Sequence, residues 1–335
     1  MHKFFLKFLL CLPPEFSHHL ALFFLKWFYP ASCAERLRKK LPKHPVQIAG
    51  LNLPNPVGLA AGLDKDARCI DAWFAMGFGF VEVGTVTPKP QSGNPKPRLF
   101  RLKKYKALIN RMGFNNQGVD ALVKRLKRRR VSGVLGVNIG KNRDTPLERA
   151  VDDYRYCLEK VYPCADYVTV NISSPNTPGL RELQGERYLE GLLAELVALR
   201  NQLNNRYDRK LPLFVKIAPD LSEGELHSTL STIEKQGIDA IIATNTSIKR
   251  DSITAHPLAK EVGGLSGEPI YQYAKSIVVE SVKFLQGRIP VIAVGGVSSP
   301  ERAKDMMAAG ASAVQVYSAF IYQGPELIRK IIKSL

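Results

Sequence analysis

Two kinds of hydrophobic pattern divide the chain. Near the start, Phe4 to Leu12 is an apolar run broken by Lys7, and Pro13 and Pro14 end it. A second segment then begins at Glu15. Phe16, Leu20, Phe23, Phe24, Trp27 and Phe28 recur at i, i+4, i+7, i+8, i+11 and i+12, one face of a helix. Both segments are shorter than the roughly 20 residues a membrane-spanning helix needs. The pattern predicts an amphipathic helical hairpin over residues 1–40, lying in a membrane interface with Lys3, Lys7 and Lys26 near headgroups. The alternative is that the aromatic face packs on the rest of the protein.

After Pro45 the period changes. Short runs rich in β-branched residues alternate with helical stretches. The runs are VGLAAGL (57–63), FVEVGTV (80–86), GVNIG (136–140), YVTVNIS (167–173), LFVKIAP (213–219), AIIATN (240–245), VIAVGGV (291–297) and AVQVYSAF (313–320). Helices are predicted over Glu186–Leu203, Glu223–Gln236, Ile270–Leu285 and Pro300–Ala309. Alternation of this kind implies an α/β fold with a parallel sheet and outer helices. Eight strand–helix units fit a closed (β/α)8 TIM barrel over residues 41–335. The competitor is an open, doubly wound sheet. No strand is followed by GxGxxG or GxxxxGK[ST], which weakens a dinucleotide or nucleotide-triphosphate reading.

Polar residues collect at the carboxyl ends of these strands, where barrel enzymes work. They are Ala61-Gly62-Leu63-Asp64-Lys65, Thr85, Asn138, Asn171 to Asn176, Lys216, Thr244-Asn245-Thr246, Gly295-Gly296 and Tyr317-Ser318. Any one is an ordinary turn former. At nearly every strand end they predict a binding mouth. VGGVSSPERA, YSAF and the flexible segment GGLSG (263–267) suit a phosphate cradle, with Ser299-Pro300 opening a helix. Lys65 and Lys216 are placed on strands facing a crowded interior, and each needs an anionic partner. Asn110, Asn138, Asn171, Asn176 and Asn245 offer donors and acceptors that suit the edge of a flat heterocycle.

Composition narrows the class. The 335 residues are 45% hydrophobic, and 48 Lys+Arg against 30 Asp+Glu give +18. Such a balance attracts nucleic acid, anionic lipid or an acidic substrate. KRLKRRR (124–130) fits the exposed face of a helix begun by Asp120. Five scattered cysteines, with no CxxC or HExxH, suggest reduced thiols and no metal site.

AAGLDK, INRMGFNN, VNISSPNTPGLR, FVKIAPD, ATNT, GGLSG, AVGGV and VQVYSAF together resemble dihydroorotate dehydrogenase. The N-terminal hairpin resembles its membrane-associated, quinone-using class. The resemblance implies FMN as cofactor, oxidation of dihydroorotate to orotate in pyrimidine synthesis, and a peripheral location on the cytoplasmic face of the inner membrane. By motif, Ala61, Gly62, Lys65, Thr85, Asn138, Asn171, Lys216, Thr244, Gly267, Gly296, Tyr317 and Ser318 would contact FMN. Lys65, Asn110, Arg111, Met112, Gly113, Phe114, Asn171, Asn176, Asn245 and Thr246 would contact substrate. Ser174 stands at the position of the base, where soluble relatives usually carry cysteine. His18, Arg101 and Tyr317 would line the quinone tunnel. A serine is a poor base, so a relay through water and Thr177 is expected. Expected partners are dihydroorotate, membrane quinone and an anionic lipid surface, with no nucleic acid and a monomeric chain. Two rivals remain: an FMN reductase acting on RNA uracil, like dihydrouridine synthase, and a non-enzymatic basic membrane-surface protein.

Overall fold

The computed structural model describes residues 2–28 and 43–335. The hairpin is present as α1 (His2–Cys11) and α2 (Pro14–Phe28). The boundary drawn at residue 40, the RLRKK run and Cys33 lie outside the described residues.

Among the described residues thirteen strands follow: β1 (Val46–Ile48), β2 (Leu51–Leu53), β3 (Val57–Leu59), β4 (Phe80–Val86), β5 (Leu99–Leu102), β6 (Ala107–Asn110), β7 (Val134–Ile139), β8 (Tyr167–Asn171), β9 (Leu213–Ile217), β10 (Ala240–Ala243), β11 (Gly264–Gly267), β12 (Val291–Val294) and β13 (Ala313–Val316). Eight of them, β3, β4, β7, β8, β9, β10, β12 and β13, close into an all-parallel barrel. Closure rules out the open sheet. The outer helices include Glu186–Tyr207, Glu223–Lys235, Tyr271–Leu285 and Pro300–Ala308. The last begins as expected, with Ser299 accepting from the Arg302 amide at 3.3 Å and proline at its first position.

Two small sheets were not foreseen. The β1–β2 hairpin plugs the lower end of the barrel with Ile48 and Leu53. An antiparallel sheet, β5–β6–β11, stands over the upper end. GGLSG is therefore mostly a strand, not a flexible segment, and pairs with β6 from Gly264↔Asn110 to Gly267↔Ala107. Lys65 also differs from expectation: β3 ends at Leu59, and Lys65 stands in the turn beyond it. KRLKRRR is only partly helical, since its helix (Val119–Leu126) ends within it.

Inward positions step by two residues along each strand, so the interior is layered. The lowest layer holds Phe80, Tyr167 and Phe214, with Tyr167 and Phe214 stacked at 4.5 Å between centroids. Gly58 and Gly136 make room for these rings. A Cβ on Gly58 would lie 2.3 Å from the Phe80 ring, and one on Gly136 would lie 2.0 Å from the Tyr167 ring. The next layer is polar: Glu82, Asn138, Thr169, Lys216 and Gln315, all buried. Above it lies the mouth.

The hairpin rests on the side of the barrel. Leu22 is buried in the main core, and the Cys69 thiol donates to its carbonyl at 3.2 Å. Arg101 closes the end of α1, its Nη1 donating to the carbonyls of Leu10 (2.8 Å) and Leu12 (3.0 Å). The opposite face of α2 stays open, with Phe16 and Phe23 each 57% exposed and Trp27 69%.

The layering makes Gly136→Ala an overpacking change against a ring that cannot move. It should cost about 1–3 kcal/mol, read as a lower midpoint in urea denaturation with unchanged slope.

Candidate active site

The mouth is a cleft at the carboxyl ends of the barrel strands. Its lining draws on the segments that the sequence singled out, except the end of β7. Ala61, Gly62 and Lys65 come from the turn after β3, and Thr85 from β4. Asn171, Ser174 and Asn176 follow β8. Lys216 lies on β9, and Thr244, Asn245 and Thr246 follow β10. Gly267 ends β11, Gly295 and Gly296 follow β12, and Tyr317 and Ser318 follow β13. Asn110, Met112, Gly113 and Phe114 close one side from β6 and the loop beyond it.

Two expected contacts fall elsewhere. Asn138 lies beneath the cleft wall, fully buried, and does not line it. Arg111 turns its guanidinium outward to Glu261 at 2.5 Å and over the Phe100 ring.

The floor is organised by a residue the sequence reading passed over. Glu82 is completely buried on β4. Its Oε1 accepts from Asn138 Nδ2 at 2.8 Å. Its Oε2 accepts from Gln315 Nε2 (3.0 Å), Thr169 Oγ1 (3.1 Å) and Tyr167 OH (3.2 Å). Four donors offset the cost of burying a carboxylate. The signal in FVEVGTV was parity: Glu82 is two residues from Phe80 and two from Gly84, so it must point inward.

The amides form connected groups. Asn171 Nδ2 donates to Thr85 Oγ1 (2.9 Å) and Asn138 Oδ1 (3.2 Å). Asn245 Nδ2 donates to Ser173 Oγ (3.0 Å) and Asn171 Oδ1 (3.3 Å). Asn176 Nδ2 donates to Asn110 Oδ1 at 3.2 Å. These mutual bonds fix the side chains before any ligand arrives.

Neither lysine donates a hydrogen bond to another described residue. Burial holds the Lys216 ammonium below the ordinary lysine pKa, with Glu82 pulling the other way. Burial also pulls Lys65 down, to about 8, against the partly compensating charge of Asp66. The turn carrying Lys65 is pinned by Asp64. Its carboxylate accepts from the amides of Arg68 (2.7 Å) and Cys69 (2.8 Å) and from Trp73 Nε1 (3.0 Å).

Ser174 is 6% exposed, and its Oγ accepts from the Asn176 amide at 3.3 Å. Thr177 Oγ1 is buried with no hydrogen-bond partner among the described residues. Arg181 ties three segments of the mouth together. It donates to Ser173 O (3.2 Å), Asp220 Oδ2 (2.8 Å) and Thr246 O (2.9 Å).

Of the three residues expected at a quinone tunnel, His18 and Arg101 lie where hairpin meets barrel, and Tyr317 lies on the cleft wall. His18 is half-buried. Burial, then the positive charge of Lys65 and of His19, pushes its pKa down to about 3, so it is neutral. No described helix is long and apolar enough to cross a membrane.

Comparison with known proteins follows the same lines. Residues 44–335 match the family model described as dihydroorotate dehydrogenase. A dihydroorotate dehydrogenase (quinone) of Aeromonas hydrophila is 52% identical over 327 residues, covering 97% of each chain. One of Coxiella burnetii is 51% identical over 324 residues, covering 97% of this chain and 93% of that one. Among solved structures, DHODH from Eimeria tenella in complex with ferulenol superposes with a TM-score of 0.87 at 39% identity. It covers 96% of this chain and 90% of that one. The likeness runs over nearly the whole length of these relatives, and the chain belongs to the dihydroorotate dehydrogenase family.

Proposed function

We propose that this protein oxidises dihydroorotate to orotate in pyrimidine synthesis, using FMN and returning the electrons to a membrane quinone. The observation that carries the reading is one cleft lined by two unpaired ammonium groups, four asparagines and a buried serine. Among the described residues no cysteine lines this cleft, which leaves the RNA-uracil reading without its acid.

The residues fit FMN. Lys216 holds a partly desolvated positive charge with no hydrogen-bonded partner, aimed at the cleft. Asn171, Thr85 and Thr244 present donors and acceptors for a ring edge, with Asn138 bracing them from below. Gly267, Gly295, Gly296 and Ser318 give a phosphate close access to backbone and hydroxyl groups. When bound, FMN would supply the acceptor for a hydride and the two-electron link to quinone.

The protein's own work is positioning and proton transfer. Making a C=C bond beside a carbonyl removes a proton from one carbon and a hydride from its neighbour. Asn110, Asn176, Asn171 and Asn245 hold the pyrimidine edge, and Lys65 neutralises the carboxylate. Fixed geometry replaces a bimolecular search. Ser174 takes the proton. Its hydroxyl needs somewhere to send its own, and Thr177, free of other bonds, is the next hydroxyl in a relay through water.

The exposed aromatic face of α2 meets an anionic lipid surface, and His18 and Arg101 border the route by which a quinone enters. Lipid accounts for that face without a second subunit, so the chain works as a monomer at the inner membrane.

An anaerobic visible spectrum tests the reading directly: dihydroorotate should bleach the flavin band of purified protein. Absence of bleaching would refute it. Ser174→Ala should keep the bound flavin but bleach about 100-fold or more slowly, the usual span of a lost acid–base group, measured by stopped flow.

Lys65 sets a pH dependence. Its pKa is lowered to about 8, so its charge is present below that pH and lost above it. Orotate affinity should be constant at pH 6–7 and fall as pH rises through 8, approaching about tenfold per unit. Lys65→Ala should bind weakly at every pH and lose that slope in spectral titrations.

Phe23→Ser/Trp27→Ser should reduce co-sedimentation with phosphatidylglycerol vesicles while leaving bleaching by dihydroorotate unchanged, because neither exposed ring packs in the barrel core.

A further inference from the structure

The hairpin is joined to the substrate loops by a continuous set of bonds. Glu15 opens α2. Its carboxylate receives Arg98 Nη2 at 2.7 Å and Nε at 3.3 Å. Both groups are nearly enclosed, the Arg98 side chain 8% exposed and the Glu15 side chain 14%. Arg98 has one further nitrogen, Nη1, and it grips the chain locally, donating to Ser92 O (2.5 Å) and Asn94 O (2.9 Å). A guanidinium is suited to this, with several donors in one rigid plane.

The segment so held, residues 91–98, touches both walls of the substrate site. Asn94 Nδ2 donates to the carbonyl of Asn176 at 3.1 Å, two residues beyond Ser174. Its backbone amide donates to Met112 O at 3.1 Å, and Gln91 Nε2 donates to Gly113 O at 2.9 Å. The Arg98 carbonyl accepts from the Arg111 amide at 2.9 Å. Two glycines permit the close fit. A Cβ on Gly93 would lie 2.2 Å from Met112 O and 2.9 Å from Arg98 Nη1. A Cβ on Gly113 would lie 2.8 Å from the Asn94 side chain.

We infer that Glu15 and Arg98 are positioning residues: through the 91–98 strap they hold Asn110–Phe114 and Asn176 in register, so that seating of the hairpin sets affinity for the pyrimidine substrate. This rests on the function proposed above. It assigns the hairpin a part in the first half-reaction, where no quinone takes part. Coupling of this kind is reciprocal, so a bound pyrimidine favours the seated hairpin.

The test is flavin bleaching by dihydroorotate without quinone, together with orotate titration of the flavin-loaded enzyme. Glu15→Gln keeps shape and removes charge. It should raise the substrate requirement about tenfold, within the usual range of coupling between sites. Asn94→Ala should do the same, and the double variant should be no worse than the poorer single, because both act through one strap. Arg98→Lys keeps a cation beside Glu15 but lacks the fork to Ser92 and Asn94, and it should lose affinity with the hairpin still docked. Hydrogen exchange supplies a readout apart from activity. In Glu15→Gln, amides of 91–98 and 172–180 should exchange faster while those of β4 and β8 stay protected. Wild-type affinity in Glu15→Gln, or additive effects in the double variant, would overturn the inference. A wild-type protein that dihydroorotate fails to bleach would instead overturn the function on which it rests.

Discussion

The site depends on a carboxylate sealed inside the barrel. Glu82 has no contact with solvent and receives donors from Asn138, Tyr167, Thr169 and Gln315. These residues stand on four strands, β4 contributing the acceptor and β7, β8 and β13 the donors. A buried charge that loses a partner is costly, so each donor is held where the others require it. The network reaches the cleft through Asn138, which meets both Thr85 and Asn171. Lys216, across the same layer, feels the opposing charge of Glu82. One carboxylate therefore orients the amides of the wall and anchors the field of the floor.

That arrangement separates two uses of lysine. Lys216 stands on a strand of the closed barrel, and its position is as fixed as the sheet. Lys65 stands in a turn whose shape comes from Asp64 and its three donors. Both lose solvation without gaining a hydrogen-bonded anion from the protein. Under the proposed function, an anionic ligand would supply what each lacks.

The eight barrel strands and nearly all of the lining were legible in the sequence, because closure of the barrel converts chain order into position. Once strands alternate with helices, every residue just after a strand must reach the same rim. The failures have physical causes too. β6 and β11 pair across more than 150 positions in four-residue strands, too short to show a period of their own. Asp64 and Arg181 act largely through backbone groups, and their side-chain partners Trp73 and Asp220 stand on other segments. Glu82 was hidden in a run that looked apolar throughout, although its parity with Phe80 pointed it inward. Asn138 and Arg111 fit the family motif yet do not reach the cleft: one braces it from below, and the other is drawn out by Glu261.

The hairpin joins these levels. On α2, the aromatic stripe of Phe16, Phe23 and Trp27 was visible as a period, but its opposite side was equally informative. Leu22 and Leu25 pack on the barrel, while Glu15 enters the ion pair with Arg98. A helix with one face committed to the barrel and the other exposed is able to touch lipid without leaving the protein. The apolar burial fixes where the hairpin rests. The ion pair fixes its register, because Arg98 has its remaining nitrogen bound to the strap and cannot follow a displaced Glu15 without releasing Ser92 and Asn94. The seat of the hairpin and the order around Ser174 thus share one set of bonds, which under the proposed function would link the two half-reactions.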